Sequence, residues 1–336
     1  MESGLSFSAA DLAQTRFAVS PMWEVVTSFR LLRAQAEPPV HGRWAAQVRP
    51  RLLRAGLGHG WLAELIPGQG YLADLLNPTP AGPFPTLAAE LAAIRRTAPE
   101  QVRTELGMLD TTGRDLDASP RARLLREAPE AALAKVTAEI EAYWEIALAP
   151  YWARISQLLE ADVFHRARQV AEHGSAHVLN ELHGSVRWDD GTLHLVRRQC
   201  ALTRDQAGSG LLLVPSAFAW PQVLTRSVPP DPPQLAYPAR GIGTLWEPRT
   251  GTSADAIAGV LGRSRALLLA ELDTPASTTQ LARHCGLSAA GVSQHLTALR
   301  DAGLVTAHRS GRSVLYARTA VADALLCPSG GARDLT

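Results

Sequence analysis

Ala290, Ser293, Gln294 and Thr297 fall on one side of a helix expected over residues 289–302. Val292, Leu296 and Leu299 recur at i, i+4 and i+7 on the other side, the spacing of a core stripe. The polar side carries small and hydrogen-bonding groups in place of a solvating Glu/Lys mixture. Such a surface can approach a base-pair edge closely, and a glutamine amide can pair with adenine through two hydrogen bonds. The pattern therefore points to a helix that reads double-stranded DNA in the major groove. The plain alternative is an exposed polar helix face. His295 lies between stripe and polar face, where packing, phosphate contact and base contact all fit.

Other residues with chemical potential carry less. His173 and His177 are spaced i, i+4, with His165 and His183 nearby. That spacing can hold zinc on one helix face. The run is H-G-S-A-H, however, without the glutamate of H-E-x-x-H, and Gly174 weakens a helix there. Surface or interhelical histidines are the simpler reading. A metal-dependent hydrolase centred on His173 and His177, with a regulatory tail, stands as the alternative function. Cys200, Cys285 and Cys327 are far apart and odd in number, which fits neither a disulfide framework nor a cysteine metal site. A reduced compartment suits them, and Cys285 reads as a small buried apolar residue. G-x-S-x-G, P-loop and G-x-G-x-x-G motifs do not occur, and Gly241-Ile242-Gly243 lacks the third glycine and the following helix. The expectation is a protein that is not an enzyme, with no metal and no cofactor. Tyr143, Trp144, Tyr151 and Trp152 suggest either plain core or the wall of an effector pocket, core being simpler.

The elements that must position the reading helix are signalled locally. Residues 263–272 read as a helix with Leu267, Leu268 and Leu272 on one side, stopped before Pro275. Ser277-Thr278-Thr279-Gln280 has the form of a capping box, opening a short helix to Cys285. Gly286 makes the turn and Ser288 is the next N-cap. Two alternating strands, 304–309 and 313–318, flank Ser310-Gly311-Arg312 as a hairpin wing. Arg309 and Arg312 then sit near the tip, where phosphate or the minor groove would meet them. Ser288, Ala290, Ser293, Gln294, His295 and Thr297 are the expected base-facing set. Thr279, Gln280, Arg300, Arg309 and Arg312 are the expected backbone contacts. Only Lys135 among the 33 basic residues is a lysine, so any cationic phosphate contact falls to arginine. Residues 263–318 carry seven arginines against Glu271, Asp273 and Asp301, while the net charge of the whole chain is +1. Positive charge concentrates where a phosphate-facing module needs it.

The run L-A-R-H-C-G-L-S-A-A-G-V-S-Q-H-L-T-A-L-R-D-A-G-L-V, residues 281–305, followed by R-S-G-R-S-V-L-Y, resembles the ArsR/SmtB family of winged-helix transcriptional regulators. The resemblance covers about 60 residues. It implies a homodimer on a palindromic operator, a repressor released by a ligand. The metal-sensing types carry a cysteine pair on the first helix of the turn motif, or His/Asp/Glu pairs on a terminal helix. Here Cys285 stands alone and the segment after the wing, 319–326, is short, so the first part of the chain is expected to supply the dimer interface and any sensing of a small-molecule effector. That part resembles the uncharacterised domain fused ahead of such winged helices in actinobacterial regulators.

At the scale of the chain, 336 residues suggest two or three domains, and the eight tryptophans all lie before residue 250. The expected fold is mainly α with small β elements. Residues 1–184 form a helical domain, with 131–148 and 151–182 its strongest helices. Residues 185–250 form a β-rich subdomain and linker, with a hairpin around Asp190-Gly191 and strands at 210–215 and 241–246. Residues 251–326 form the winged helix-turn-helix, and 327–336 a disordered tail. Met1 to Ala10 has no basic or apolar signal segment and no apolar run reaches bilayer length, so the expected location is the cytoplasm, without membrane attachment. A fragment lacking residues 1–250 is expected to fold as a weakly binding monomer.

Overall fold

The structure is a computed structural model that describes residues 3–6, 9–34, 39–110, 116, 118–189, 191–195, 210–246, 253–272, 275–310 and 313–326. The chain opens with β1 (Ser3–Ser6), α1 (Ala9–Ala13), β2 (Arg16–Phe17) and α2 (Pro21–Arg33). Helices α3 (Gly42–Arg54), α4 (Trp61–Leu65), α5 (Leu87–Arg95), α6 (Pro99–Asp110) and α7 (Pro120–Glu127) follow. Then come α8 (Pro129–Ala147), a 3-10 turn at Ala149–Tyr151, α9 (Trp152–His173) and α10 (Ser175–Asn180). Five strands follow: β3 (Val186–Asp189), β4 (Thr192–Leu195), β5 (Leu212–Ser216), β6 (Leu224–Arg226) and β7 (Gln234–Pro238). The remainder is α11 (Ser253–Leu261), α12 (Arg263–Glu271), β8 (Ala276–Ser277), α13 (Thr278–Cys285), α14 (Ala289–Asp301), β9 (Val305–Ser310), β10 (Ser313–Arg318) and α15 (Ala320–Leu326). The fold is mainly α with small sheets.

These elements form two compact units. The first joins Met1–Tyr143 to Leu158–Ile242, and the second joins Trp144–Gln157 to Gly243–Thr336. In the first unit, β5 lies between β2 and β7, parallel to both, and β6 closes the sheet antiparallel to β7. All five β5 positions are buried, which is why L-L-V-P-S shows no alternation. Helix α2 packs against β5 and α5. It is capped by Ser20, starts with Pro21 at its first position and is buried continuously from Pro21 to Phe29. Its polar side chains are satisfied inside: Trp23 Nε1 donates to Gln234 Oε1 at 2.8 Å and Ser20 Oγ donates to Glu90 Oε1 at 2.6 Å.

Three features differ from the sequence expectation. Residues 185–250 do not stand apart: β1 pairs with β4 beside the β3–β4 hairpin, and β2 pairs with β5. The proline-rich residues 228–238 hold β7, with Pro238 at its end, whereas 242–244 is a 3-10 turn and not a strand. The helix expected over 151–182 is broken at Gly174, whose φ of +83° and ψ of 164° suit glycine alone.

In the second unit, α11 to α15 surround one core containing Leu268, Leu269, Leu281, Val292, Leu296, Leu299 and Tyr316. Strands β8 and β9 flank β10 in an antiparallel sheet. Trp144 and Trp152 pack with ring centroids 4.8 Å apart, and Tyr151 meets Trp246 edge-on at 5.6 Å. Tyr143 belongs to the first unit, where its hydroxyl lies 2.8 Å from Ser28 Oγ. Among the described residues no helix is long and apolar enough to cross a membrane. The expected tail, 327–336, lies outside the described residues.

Candidate nucleic-acid interface

The approach to α14 is fixed by caps and one left-handed residue. Ser277 Oγ accepts from Gln280 N–H at 3.3 Å while Gln280 Oε1 accepts from Ser277 N–H at 2.9 Å, closing the capping box of α13. Gly286 ends α13 at φ +66°, and the Gly286 and Leu287 N–H groups both donate to Ala282 O. Ser288 Oγ then accepts from Gly291 N–H at 3.1 Å, capping α14. A Cβ on Gly291 would stand 3.1 Å from that oxygen, so glycine lets the cap close tightly. The turn aims α14 while α13 buries Leu281 beneath it.

Along α14 burial follows the sequence stripe: Val292, Leu296 and Leu299 are buried. Ser288, Ala290, Ser293, Gln294, Thr297 and Arg300 are exposed, and His295 is partly buried. Ser293, Gln294 and Thr297 thus present hydroxyl and amide groups from a rigid element, with no long charged side chain between them. Thr279 and Gln280 are exposed at the start of α13, but the Oε1 of Gln280 serves the cap, leaving its Nε2 amide to donate outward. Arg300 makes an exposed ion pair with Asp301 at 3.4 Å, a contact weak enough to exchange for phosphate. Arg309 is exposed on β9. Arg312 lies outside the described residues.

Two side chains near this surface behave otherwise than charge counting suggests. Arg318 is buried, pairs with Asp323 at 3.0 Å and donates to Leu269 O at 3.1 Å. Its charge ties β10 to α12 and α15 and is not offered to a ligand. His308 on β9 is partly buried, and burial lowers its pKa while Glu145 pulls the other way. Nothing in the sequence distinguished these from surface wing residues. Burial and Glu271 push the Cys285 thiol up, which keeps it from being a ready thiolate.

Elsewhere, His173 ends α9 and His177 lies on α10 beyond the Gly174 break, with ring centroids 4.8 Å apart. His173 also neighbours Glu172 at 3.9 Å. Among the described residues no three His, Cys, Asp or Glu side chains gather as a metal site would require.

A capped helix, a left-handed turn, a second helix with a bare polar face and a β-hairpin define the second unit as a winged helix-turn-helix. Comparison with known proteins places its similarity in the same segment. Residues 249–308 match the family described as a helix-turn-helix domain. Over 51 residues the chain is 49% identical to the HTH-type transcriptional regulator CmtR of Mycobacterium bovis and of two strains of Mycobacterium tuberculosis. The match takes in 15% of this chain and 43% of each relative, so the chain spans less than half the length of the curated relatives it matches. Residues 113–243 match a family of unknown function, DUF5937. No solved structure matches.

Proposed function

We propose that this chain is a transcriptional regulator that binds double-stranded DNA in a sequence-specific manner and acts as a repressor. One observation carries the reading: α14 buries its whole apolar stripe and exposes Ser293, Gln294 and Thr297 together on a capped, rigidly mounted helix. In the proposed complex these three, with Ser288, Ala290 and His295, face base edges in the major groove. Thr279, Gln280, Arg300, Arg309 and Arg312 meet the backbone. The name of the CmtR relatives and the helix-turn-helix match support the same reading.

A homodimer on a palindromic operator completes it, because a two-fold protein places two reading helices on two half-sites. The sequence points to the first unit for the dimer interface, but the second unit also offers exposed apolar side chains for self-association: Val260 on α11 is 84% exposed and Val321 on α15 is 59% exposed, and these helices pack together. The first unit is the proposed seat of small-molecule effector control. The cytoplasm is the location that goes with a DNA partner.

The test is DNA selection from a random pool by the purified chain, then gel-shift titration of variants. Gln294→Ala and Ser293→Ala should each cost about 1–3 kcal/mol on the selected site and relax its sequence preference. Arg309→Ala should weaken all duplexes alike and lower the salt slope by about one. Equal affinity of all three variants and the parent for the selected site would remove α14 and the wing from the interface.

A further inference from the structure

Strand β10 is buried on both faces, and only one face belongs to the helix-turn-helix core. Side chains alternate along a strand, so Tyr316 points one way and Leu315 and Ala317 the other. Tyr316 joins Leu281, Val292 and Leu299 in the core. Leu315 is 4% exposed and Ala317 5%, yet neither is part of that cluster. Their partners on β9 are His308 and Thr306, joined by a 3.0 Å hydrogen bond between His308 Nε2 and Thr306 Oγ1. A wing with only one face on its own helices would be expected to carry polar side chains on the other. This one carries leucine and alanine, which need cover.

The cover is the 3-10 turn Ala149–Tyr151, which packs on both β9 and β10. Glu145, one turn upstream, acts electrostatically on His308. The turn is itself held inside the second unit. Tyr151 meets Trp246 edge-on, Trp144 packs at a tilt against Trp152, and Arg154 donates to Thr244 O at 3.4 Å. It also joins α8 and α9, helices of 19 and 22 residues, and the rest of each helix belongs to the first unit. Residues remote in sequence from the helix-turn-helix therefore contribute part of the wing's packing, and they continue directly into the helices of the first unit.

We propose that the α8–α9 corner is a brace on the wing, through which the first unit sets the order of β9 and β10 and thereby the phosphate contacts of the DNA-binding unit. The DNA half of this statement rests on the function proposed above; the brace itself does not. Loosening the corner should free the wing without disturbing α14. A wing that frays loses backbone contacts, which carry affinity but no sequence preference.

The test uses the full chain and two substitutions from opposite sides of the contact, Tyr151→Ala in the corner and Leu315→Ala in the wing, so that one remains if the other fails to fold. A third, Leu159→Ala, lies in the part of α9 that belongs to the first unit. By amide hydrogen exchange, either contact variant should speed exchange in β9 and β10 about tenfold or more while α14 keeps its protection. Leu159→Ala should shift the wing in the same direction by roughly threefold. Affinity for a duplex of arbitrary sequence should fall about tenfold with a smaller salt slope, while the preference for the selected site persists. Unchanged wing exchange, or equal loosening of all of 253–326, would overturn the brace. A wing unmoved by Leu159→Ala would overturn its coupling to the first unit. Faster wing exchange in a chain that binds no DNA at all would uphold the brace and sink the DNA reading.

Discussion

Glu24 shows how much of a protein's pH behaviour can rest on one buried carboxyl. It is fully buried, and both its oxygens accept the Ala217 N–H, at 3.2 and 3.1 Å. Burial outweighs the hydrogen bonds from Ser216 and Ala217 and pushes its pKa up to about 8 from an ordinary 4.5. Between those values the folded chain holds a proton that the unfolded chain has lost. The stabilisation is complete below pH 4.5 and is lost as pH rises through about 8. Glu90 and Glu105, pushed up to about 7, act in the same direction. His41 acts oppositely: burial pushes it down to about 4, so stability falls as pH drops from 6.5 through that value. Denaturant titration should therefore find Glu24→Gln more stable than the parent at pH 8, by on the order of a few kcal/mol, with little or no advantage at pH 5. A parallel offset at both pH values would mean that Glu24 does not titrate in this window. None of this was legible in P-M-W-E-V-V, where an acid in the first helical turn reads as a surface group favoured by the helix dipole. Its burial depends on a strand that arrives some 190 residues later in the chain, as the separation of Ala217 from Glu24 shows.

At the scale of elements, signals that act over a few residues were legible and those that act over many were not. The capping box at Ser277, the cap at Ser288, the turn at Gly286, the Val292–Leu296–Leu299 stripe and the hairpin strands are each set by near neighbours, and the structure contains each of them. Strand β2 has only two residues, too few to show a period, and it exists because Leu212 and Leu213 lie beside Arg16 and Phe17. The break in the long helix is half legible: a glycine weakens a helix, but the fold puts Gly174 in a conformation no helix contains. The local signals also carry a prediction. A Cβ on Gly286 would meet nothing within 4 Å, so Gly286→Ala suffers only from its positive φ, a cost of about 1 kcal/mol. Asparagine, which tolerates that region, should recover part of it. Ser288→Ala should cost about 1 kcal/mol by orphaning the Gly291 N–H. Thermal unfolding should rank Gly286→Asn above Gly286→Ala; the reverse order would mean that something other than backbone conformation sets the residue there.

At the scale of the whole molecule, the two units do not follow one cut in the chain. A boundary near residue 250 looks natural from the sequence, since tryptophan ends and positive charge begins there, and it predicts a fragment that folds as a monomer. Yet the second unit includes Trp144–Gln157. A fragment starting at residue 251 loses the turn that covers Leu315 and Ala317, and loses Trp144, Tyr151, Trp152 and Trp246 with it. Its wing then presents an uncovered apolar face on a two-strand hairpin, in a unit that already exposes Val260 and Val321. Strands with such faces pair with other copies of themselves. The core around Leu281, Val292 and Leu296 is complete without the corner, so α13 and α14 should still form. The fragment 251–336 should therefore keep its helical circular dichroism but self-associate, with rapid amide exchange in β9 and β10. Sedimentation velocity at several concentrations decides the matter. A single monomeric species with a protected wing would show that the hairpin covers itself and that the sequence boundary at residue 250 is also the physical one.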